Sequence, residues 1–351
     1  YPKHPNVTRS IRPLSGLCKA NYNNGFKPVP LYFLKVNNTM SWNVRIGINP
    51  ISWMNDDLHS LGGETLLDTA LEEGKAIGYE GFELGNKFPK DGPSLKAKLD
   101  AFGLACVSGW YSGLLAELEP GQTSEQALQA EFERCAPHMR KLQQNDVRVV
   151  VYGECAGTVQ GQINTPVSKR PQFLSDAAWR SYAERLNSFG EHLIACYGIK
   201  LAYHHHMGAY VESPSDVDKL MALTDPRKVF LLFDTGHAFF GGALSPVELL
   251  KNHVTRVAHV HLKDVRESVI ATARNEGWSF LNSVLNGAFT VPGDGSIDYL
   301  TLLTVLKDAG YEGWLVVEAE QDPAVAPSYV YAQKGFVTLR GLVDQLNGLE
   351  R

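Results

Sequence analysis

The amino-acid sequence predicts an α/β fold of the (β/α)8 barrel type. Three observations carry this expectation. Short apolar runs are nearly continuous rather than alternating, as in strands buried on both faces. Helical patterns separate them. There are eight of each in about 300 residues, the length such a barrel needs.

In chain order, the strand-like runs are Arg45–Trp53, Tyr79–Gly85, Leu104–Gly109, Val147–Glu154, Ile199–His206, Val229–Ala238, Val257–Asp264 and Trp314–Glu320. The helical stretches, with apolar residues three and four apart, are Glu64–Ile77, Ser94–Phe102, Ser124–Leu142, Ser175–Tyr197, Ser215–Leu223, Pro246–His253, Asp298–Ala309 and Val325–Leu346. Ser124, Ser215 and Asp298 stand where N-caps are expected. Strands alternating with helices imply parallel pairing. An open doubly wound sheet would carry a Gly-rich phosphate turn after its first strand, and that turn reads NPISWMNDD.

Residues 40–351 are therefore read as a single barrel. Residues 1–39 are read as a disordered or non-native extension outside it: they are rich in Pro and Asn and have no sustained period. They hold six basic side chains and no acid, so the remainder carries 27 basic and 38 acidic residues, a balance of −11. An acidic barrel argues against nucleic acid as a partner. No apolar run reaches the roughly 18 residues of a membrane span. Hydrophobic content of 44% and charged content of 20% exclude a disordered or fibrous chain. The five cysteines form no CxxC pair, which suits a reducing compartment such as the cytoplasm.

Polar residues collect at the strand ends, where barrels keep their chemistry. The fourth strand ends at Glu154 and the fifth at His204, His205 and His206. The sixth ends at Asp234, with His237 three residues on. The seventh carries His259, His261, Lys263 and Asp264, and the eighth Glu318 and Glu320. Side chains two apart share a face, so His204 and His206 point together, as do His259 with His261 and Glu318 with Glu320. One member of each pair, with Asp234, can converge at the barrel mouth. Two imidazoles and two carboxylates suit a divalent transition metal. His205 is read as structural, and Asp56 and Asp57 as turn or surface residues. Asp294 is a turn residue or part of the mouth. Trp53, Trp110 and Tyr111 are either packing or a platform for a sugar ring.

These motifs resemble the xylose-isomerase-like barrel superfamily over roughly Arg45 to Glu320. FDTGH at 233–237, HVHLKD at 259–264, VPGDGSID at 291–298 and GWLVVEAEQDP at 313–323 carry the resemblance. GINPISWMNDD at 47–57, VYGE followed by GTVQG at 151–161, and LAYHHHMG at 201–208 resemble the inosose dehydratases within it. By position, Asp234, His261 and Glu318 match the superfamily's metal ligands. His204 stands where the sugar epimerases have a glutamate, with His206 as the alternative ligand.

The resemblance implies a hydro-lyase that removes water from 2-keto-myo-inositol (scyllo-inosose), a cyclitol ketone, to give a trihydroxycyclohexane-1,2-dione. It also implies Mn2+ or Co2+, glutathione, a bacterial cytoplasmic setting and a possible homodimer. Under it, His204, Asp234, His261 and Glu318 hold the metal. Glu154 is the leading base, with Glu318 as the alternative. His206, His237 and Lys263 supply the acid or bind hydroxyls, and Asn49, Trp53 and Glu83 contact substrate. An epimerase or isomerase of the same superfamily is the alternative activity. A DNA-repair endonuclease of the same superfamily and a non-catalytic sugar-binding barrel are the more distant ones.

Overall fold

The computed structural model describes residues 41–242 and 245–349, and the expectation for residues 1–39 lies outside them. Its elements, in order, are β1 (Val44–Ile48), α1 (Leu67–Ile77), β2 (Gly81–Leu84), α2 (Gly92–Ala101), β3 (Ala105–Gly113), α3 (Ser124–Gln143), β4 (Val149–Glu154) and α4 (Asp176–Tyr197). They continue with β5 (Lys200–His204), α5 (Pro214–Leu223), β6 (Val229–Asp234), α6 (Thr235–Phe240), α7 (Pro246–His253) and β7 (Val257–Leu262). After β7 come β8 (Asp264–Val265), α8 (Glu267–Glu276), α9 (Phe280–Leu285), β9 (Phe289–Thr290), α10 (Tyr299–Asp308), β10 (Gly313–Val317) and α11 (Ser328–Leu346).

Eight parallel strands close into a barrel in the order β1-β10-β7-β6-β5-β4-β3-β2. Alternation sorts the strand residues into two cores. Inside the barrel, Val151, Ala202 and Leu232 form a buried apolar layer. Outside it, Ile46, Phe82, Tyr152, Tyr203 and Phe233 join the larger core beneath the helices.

The helix starts differ slightly from expectation. Thr123 and Ser213, not Ser124 and Ser215, cap α3 and α5, because each finds a reciprocal partner three residues on, Gln126 and Asp216. Asp298 caps α10 as expected. The sixth strand ends at Asp234 rather than running to Ala238, because Asp234 accepts from the His237 backbone N–H and caps α6.

Between β7 and α10 the chain makes an excursion that the periodicity did not reveal. β8 and β9 pair antiparallel, and with α8 and α9 they close a second apolar cluster around Val265, Ile270, Phe280 and Phe289. Asp264 anchors this excursion. Its buried carboxylate accepts backbone N–H bonds from Val265, Gly293, Gly295 and Ile297 at 2.9–3.1 Å. A side chain at position 295 would collide with that carboxylate.

Candidate active site

His204, Asp234, His261 and Glu318 end β5 and β6, lie in β7 and follow β10; His204, His261 and Glu318 line the barrel mouth, and Asp234 is buried against the two histidines. One donor atom from each lies within 4.8 Å of the others. His204 Nε2 is 3.5 Å from Asp234 Oδ2, and His261 Nδ1 is 3.6 Å from it. His261 Nδ1 is also 2.7 Å from Glu318 Oε2.

Asp234 Oδ2 and His261 Nδ1 are buried, yet neither makes an aligned hydrogen bond. Buried polar atoms are normally paired. Here the two atoms lie 3.6 Å apart among the donor atoms of the other two side chains, as ligands of one ion do. The donor set fits the expected divalent ion: two imidazole nitrogens and two carboxylates, with no thiol among them.

Electrostatics agree with that reading at Asp234, Glu318 and His204, while at His261 burial is outweighed by the Glu318 and Glu83 carboxylates, which raise the imidazole well above its ordinary value. Burial would raise the Asp234 carboxyl, but the Lys263 ammonium and nearby imidazoles hold it well below the ordinary carboxylate range. Burial is likewise outweighed at Glu318, where His261 and Lys263 bring the carboxyl down to about 2. Burial keeps His204 neutral by lowering its pKa, leaving a nitrogen lone pair available.

A second group of side chains adjoins these four. Lys263 Nζ lies 2.7 Å from Glu318 Oε1, 2.7 Å from Glu320 Oε1 and 3.2 Å from His237 Nε2. Burial disfavours the ammonium, but the carboxylates of Asp234, Glu318 and Glu320 more than compensate and keep it charged. Glu320 Oε2 has no partner. Burial, only partly offset by Lys263, raises this carboxyl to about 7.

His206 packs on His237 at a ring separation of 4.0 Å and against Phe280 of the excursion at 4.7 Å. Its Nδ1 is 2.8 Å from the Met207 carbonyl. A carbonyl only accepts, so Nδ1 carries the proton and Nε2 is left with its lone pair. Burial lowers its pKa well below the usual imidazole value, so the ring is neutral.

The mouth opens into a cavity of about 440 Å3 lined by His204, His206, His261, Glu318 and Glu320 together with Trp110, Asp56, Asp57, Lys90, Lys141 and Gln160. Trp110 lies edge-on to His204 at 5.5 Å. It fits only because residue 153 is glycine, since a Cβ there would strike the indole.

The xylose isomerase-like TIM barrel model matches residues 71–336. The chain belongs to this family. Among relatives of known name, the rhizopine catabolism protein MocC of Rhizobium meliloti is 45% identical over 84% of this chain and 87% of its own length. An inosose dehydratase of Clostridium botulinum (strain Alaska E43 / Type E3) is 42% identical over 83% of this chain and 95% of its own length. A solved structure of IOLI protein with a bound zinc atom superposes with a TM-score of 0.58 at 17% identity, covering 87% of this chain and 98% of that one.

Against this xylose isomerase-like frame, several sequence expectations need correction. Glu154 is not in the mouth. On β4 the inward positions are Val149, Val151 and Gly153, so Tyr152 and Glu154 face the helices. Glu154 Oε2 accepts from the Leu115 and Ala116 backbone and from the Tyr152 and Tyr182 hydroxyls, and Oε1 from the Ala156 N–H. Five protein donors hold it, and it does not line the cavity.

Trp53 is also misplaced by the sequence reading. It is buried against Phe82, with its indole N–H donated to Glu73. Asn49 and Glu83 border the cavity floor but are committed to neighbours. Asn49 Nδ2 donates to Glu83 Oε2 at 2.9 Å and to Glu318 Oε2 at 3.2 Å, while its Oδ1 caps the turn at Ile51. Asp294 is a loop anchor, paired with Arg266 and Lys334.

Sequence reasoning undervalued Glu320, whose spacing of two from Glu318 already placed it on the same face. It also left Asp56 and Asp57 as surface residues, although both line the cavity. Tyr111 packs against Phe189 and is no platform, whereas Trp110 faces the cavity. No helix among the described residues is long and apolar enough to cross a membrane.

Proposed function

We propose that this chain is a metal-dependent hydro-lyase that dehydrates 2-keto-myo-inositol to the trihydroxycyclohexane-1,2-dione in inositol catabolism. The observation that carries the reading is the convergence of His204, Asp234, His261 and Glu318 beside the Lys263–Glu320 pair, in a chain 42% identical to an inosose dehydratase. The four would hold a divalent ion, which we assign as Mn2+ or Co2+, and it would supply Lewis-acid stabilisation for negative charge developing on the substrate.

The chain's own groups supply the proton movements. Glu318 has one oxygen on Lys263 and the other against His261, so it is not free to take a carbon-bound proton. His206, neutral with its Nε2 lone pair free, takes the proton from the carbon between the ketone and the leaving hydroxyl's carbon. Glu320 gives a proton to that leaving hydroxyl, which departs as water. Lys263 holds the other oxygen of Glu320, fixing the direction of the transfer. A ring nitrogen of His206 and a carboxyl oxygen of Glu320 lie within 4.8 Å, so base and acid work from one face of the ring. The enol left behind tautomerises to the dione. Trp110 stacks on the ring's apolar face.

Incubation of chelator-stripped protein with 2-keto-myo-inositol, with and without added Mn2+, tests this. Metal-dependent appearance of a 1,2-diketone, trapped with an aromatic diamine, is the expected result. Isomerised inosose without diketone would assign the chain to the epimerase chemistry instead.

A further inference from the structure

Glu83, on β2, reaches across the barrel interior to β7, a strand with which β2 does not pair. Its side chain is buried, and nothing in the proposed reaction uses it. A buried carboxylate without compensation is costly, so its partners indicate its purpose.

Those partners are three donors. His259 Nε2 lies 2.7 Å from Oε1, His261 Nε2 lies 3.1 Å from Oε1 and 3.0 Å from Oε2, and Asn49 Nδ2 donates to Oε2 at 2.9 Å. The two nitrogens of His261 therefore meet contrasting surroundings. Nε2 makes an aligned hydrogen bond to Glu83, whereas Nδ1 has carboxylate oxygens nearby and no aligned bond. A carboxylate only accepts, so the bond to Glu83 requires a proton on Nε2 and leaves Nδ1 as the nitrogen turned toward the other ligating side chains.

We infer that Glu83 is a positioning residue that fixes the tautomer and ring orientation of His261, so that Nδ1 is the nitrogen presented to the ion. The inference rests on the functional reading above. His259, one layer deeper on the same face of β7, holds Glu83 from below. Asn49 ties Glu83 to Glu318, so one network links two of the four ligands across β1, β2, β7 and the segment after β10. Glu83, His259 and His261 are close enough together to suggest a second ion site. The aligned hydrogen bonds instead place protons in those contacts. A carboxylate behind a ligating histidine also raises that histidine's basicity, and losing it weakens metal binding about 10- to 100-fold.

Two measurements test this. Titration of Mn2+ into chelator-stripped Glu83→Gln should give a Kd about 10- to 100-fold above that of the unaltered protein, with the far-UV spectrum retained. In the unaltered protein loaded with Zn2+, nitrogen-15 histidine NMR should show His261 protonated at Nε2 and metal-bound at Nδ1. That spectrum decides the matter even if the variant does not fold. An unchanged Kd in folded Glu83→Gln, or coordination of His261 through Nε2, overturns the role of Glu83 and leaves the functional reading standing. Failure of the unaltered protein to take up either ion overturns both.

Discussion

Glu154 and Glu320 invite comparison. Both follow apolar strand residues near the C-terminal end of the barrel, both are buried, and burial raises both carboxyls above their ordinary value. Glu154 is enclosed by five donors from α4, β4 and the loops beyond β3 and β4. Glu320 has one oxygen on Lys263 and the other unpartnered beside the cavity. Burial and a shifted pKa therefore do not mark a reactive carboxyl. Unused acceptor capacity facing a space large enough for substrate does.

The largest effect should come from the ion that the mouth is arranged to hold. Asp234→Asn should lose bound metal by elemental analysis and reduce diketone formation by at least about 1,000-fold. Full activity without metal would remove the basis of the comparison.

Next comes Glu320 itself. Glu320→Gln should slow diketone formation by about 100- to 10,000-fold, while α-deuterium exchange from labelled substrate persists, because only the acid is lost. If exchange and dehydration fall together, Glu320 is not the acid. The pH profile provides a related check. A carboxyl raised to about 7 is protonated below that value and ionised above it. Turnover should therefore fall about tenfold per unit as pH rises beyond it, and the limb should vanish in Glu320→Gln.

Glu154→Gln should behave in the opposite way. Diketone formation should stay within about twofold, while thermal unfolding shows a loss of about 1–3 kcal/mol, since an amide cannot satisfy all the donors around it. A catalytic defect without loss of stability would reverse the assignment of the two glutamates. An effect confined to binding is expected at Gly153→Ala, which displaces Trp110. KM should rise about tenfold with little change in kcat, the signature of lost uniform binding.

The barrel was legible in the sequence because strands covered on both faces read as apolar runs, and helices between them have no other reason for their spacing. The four proposed ligands were legible because charged and imidazole side chains inside such runs require a partner. Glu154 was misread for a definite reason. A period of two says which residues share a face but not which face is inward. The anchor on β4 was Gly153, left without a side chain to admit an indole from β3. The excursion carrying α8 and α9 was missed because its apolar residues serve a small separate cluster, not the barrel, so their spacing is short and local. Glu83 was noticed but its histidine partners were not, since they lie 176 and 178 residues away.

Lys263 and Asp264 are consecutive yet serve opposite sides of one strand end: the first binds Glu318 and Glu320 in the mouth, the second gathers backbone amides of the segment from 293 to 297. HLKD and PGDG are thus halves of one mechanical joint. Anyone grafting a foreign loop onto this scaffold to change its substrate would have to transplant both tetrapeptides together, because either half alone would leave the ammonium aimed at the wrong place.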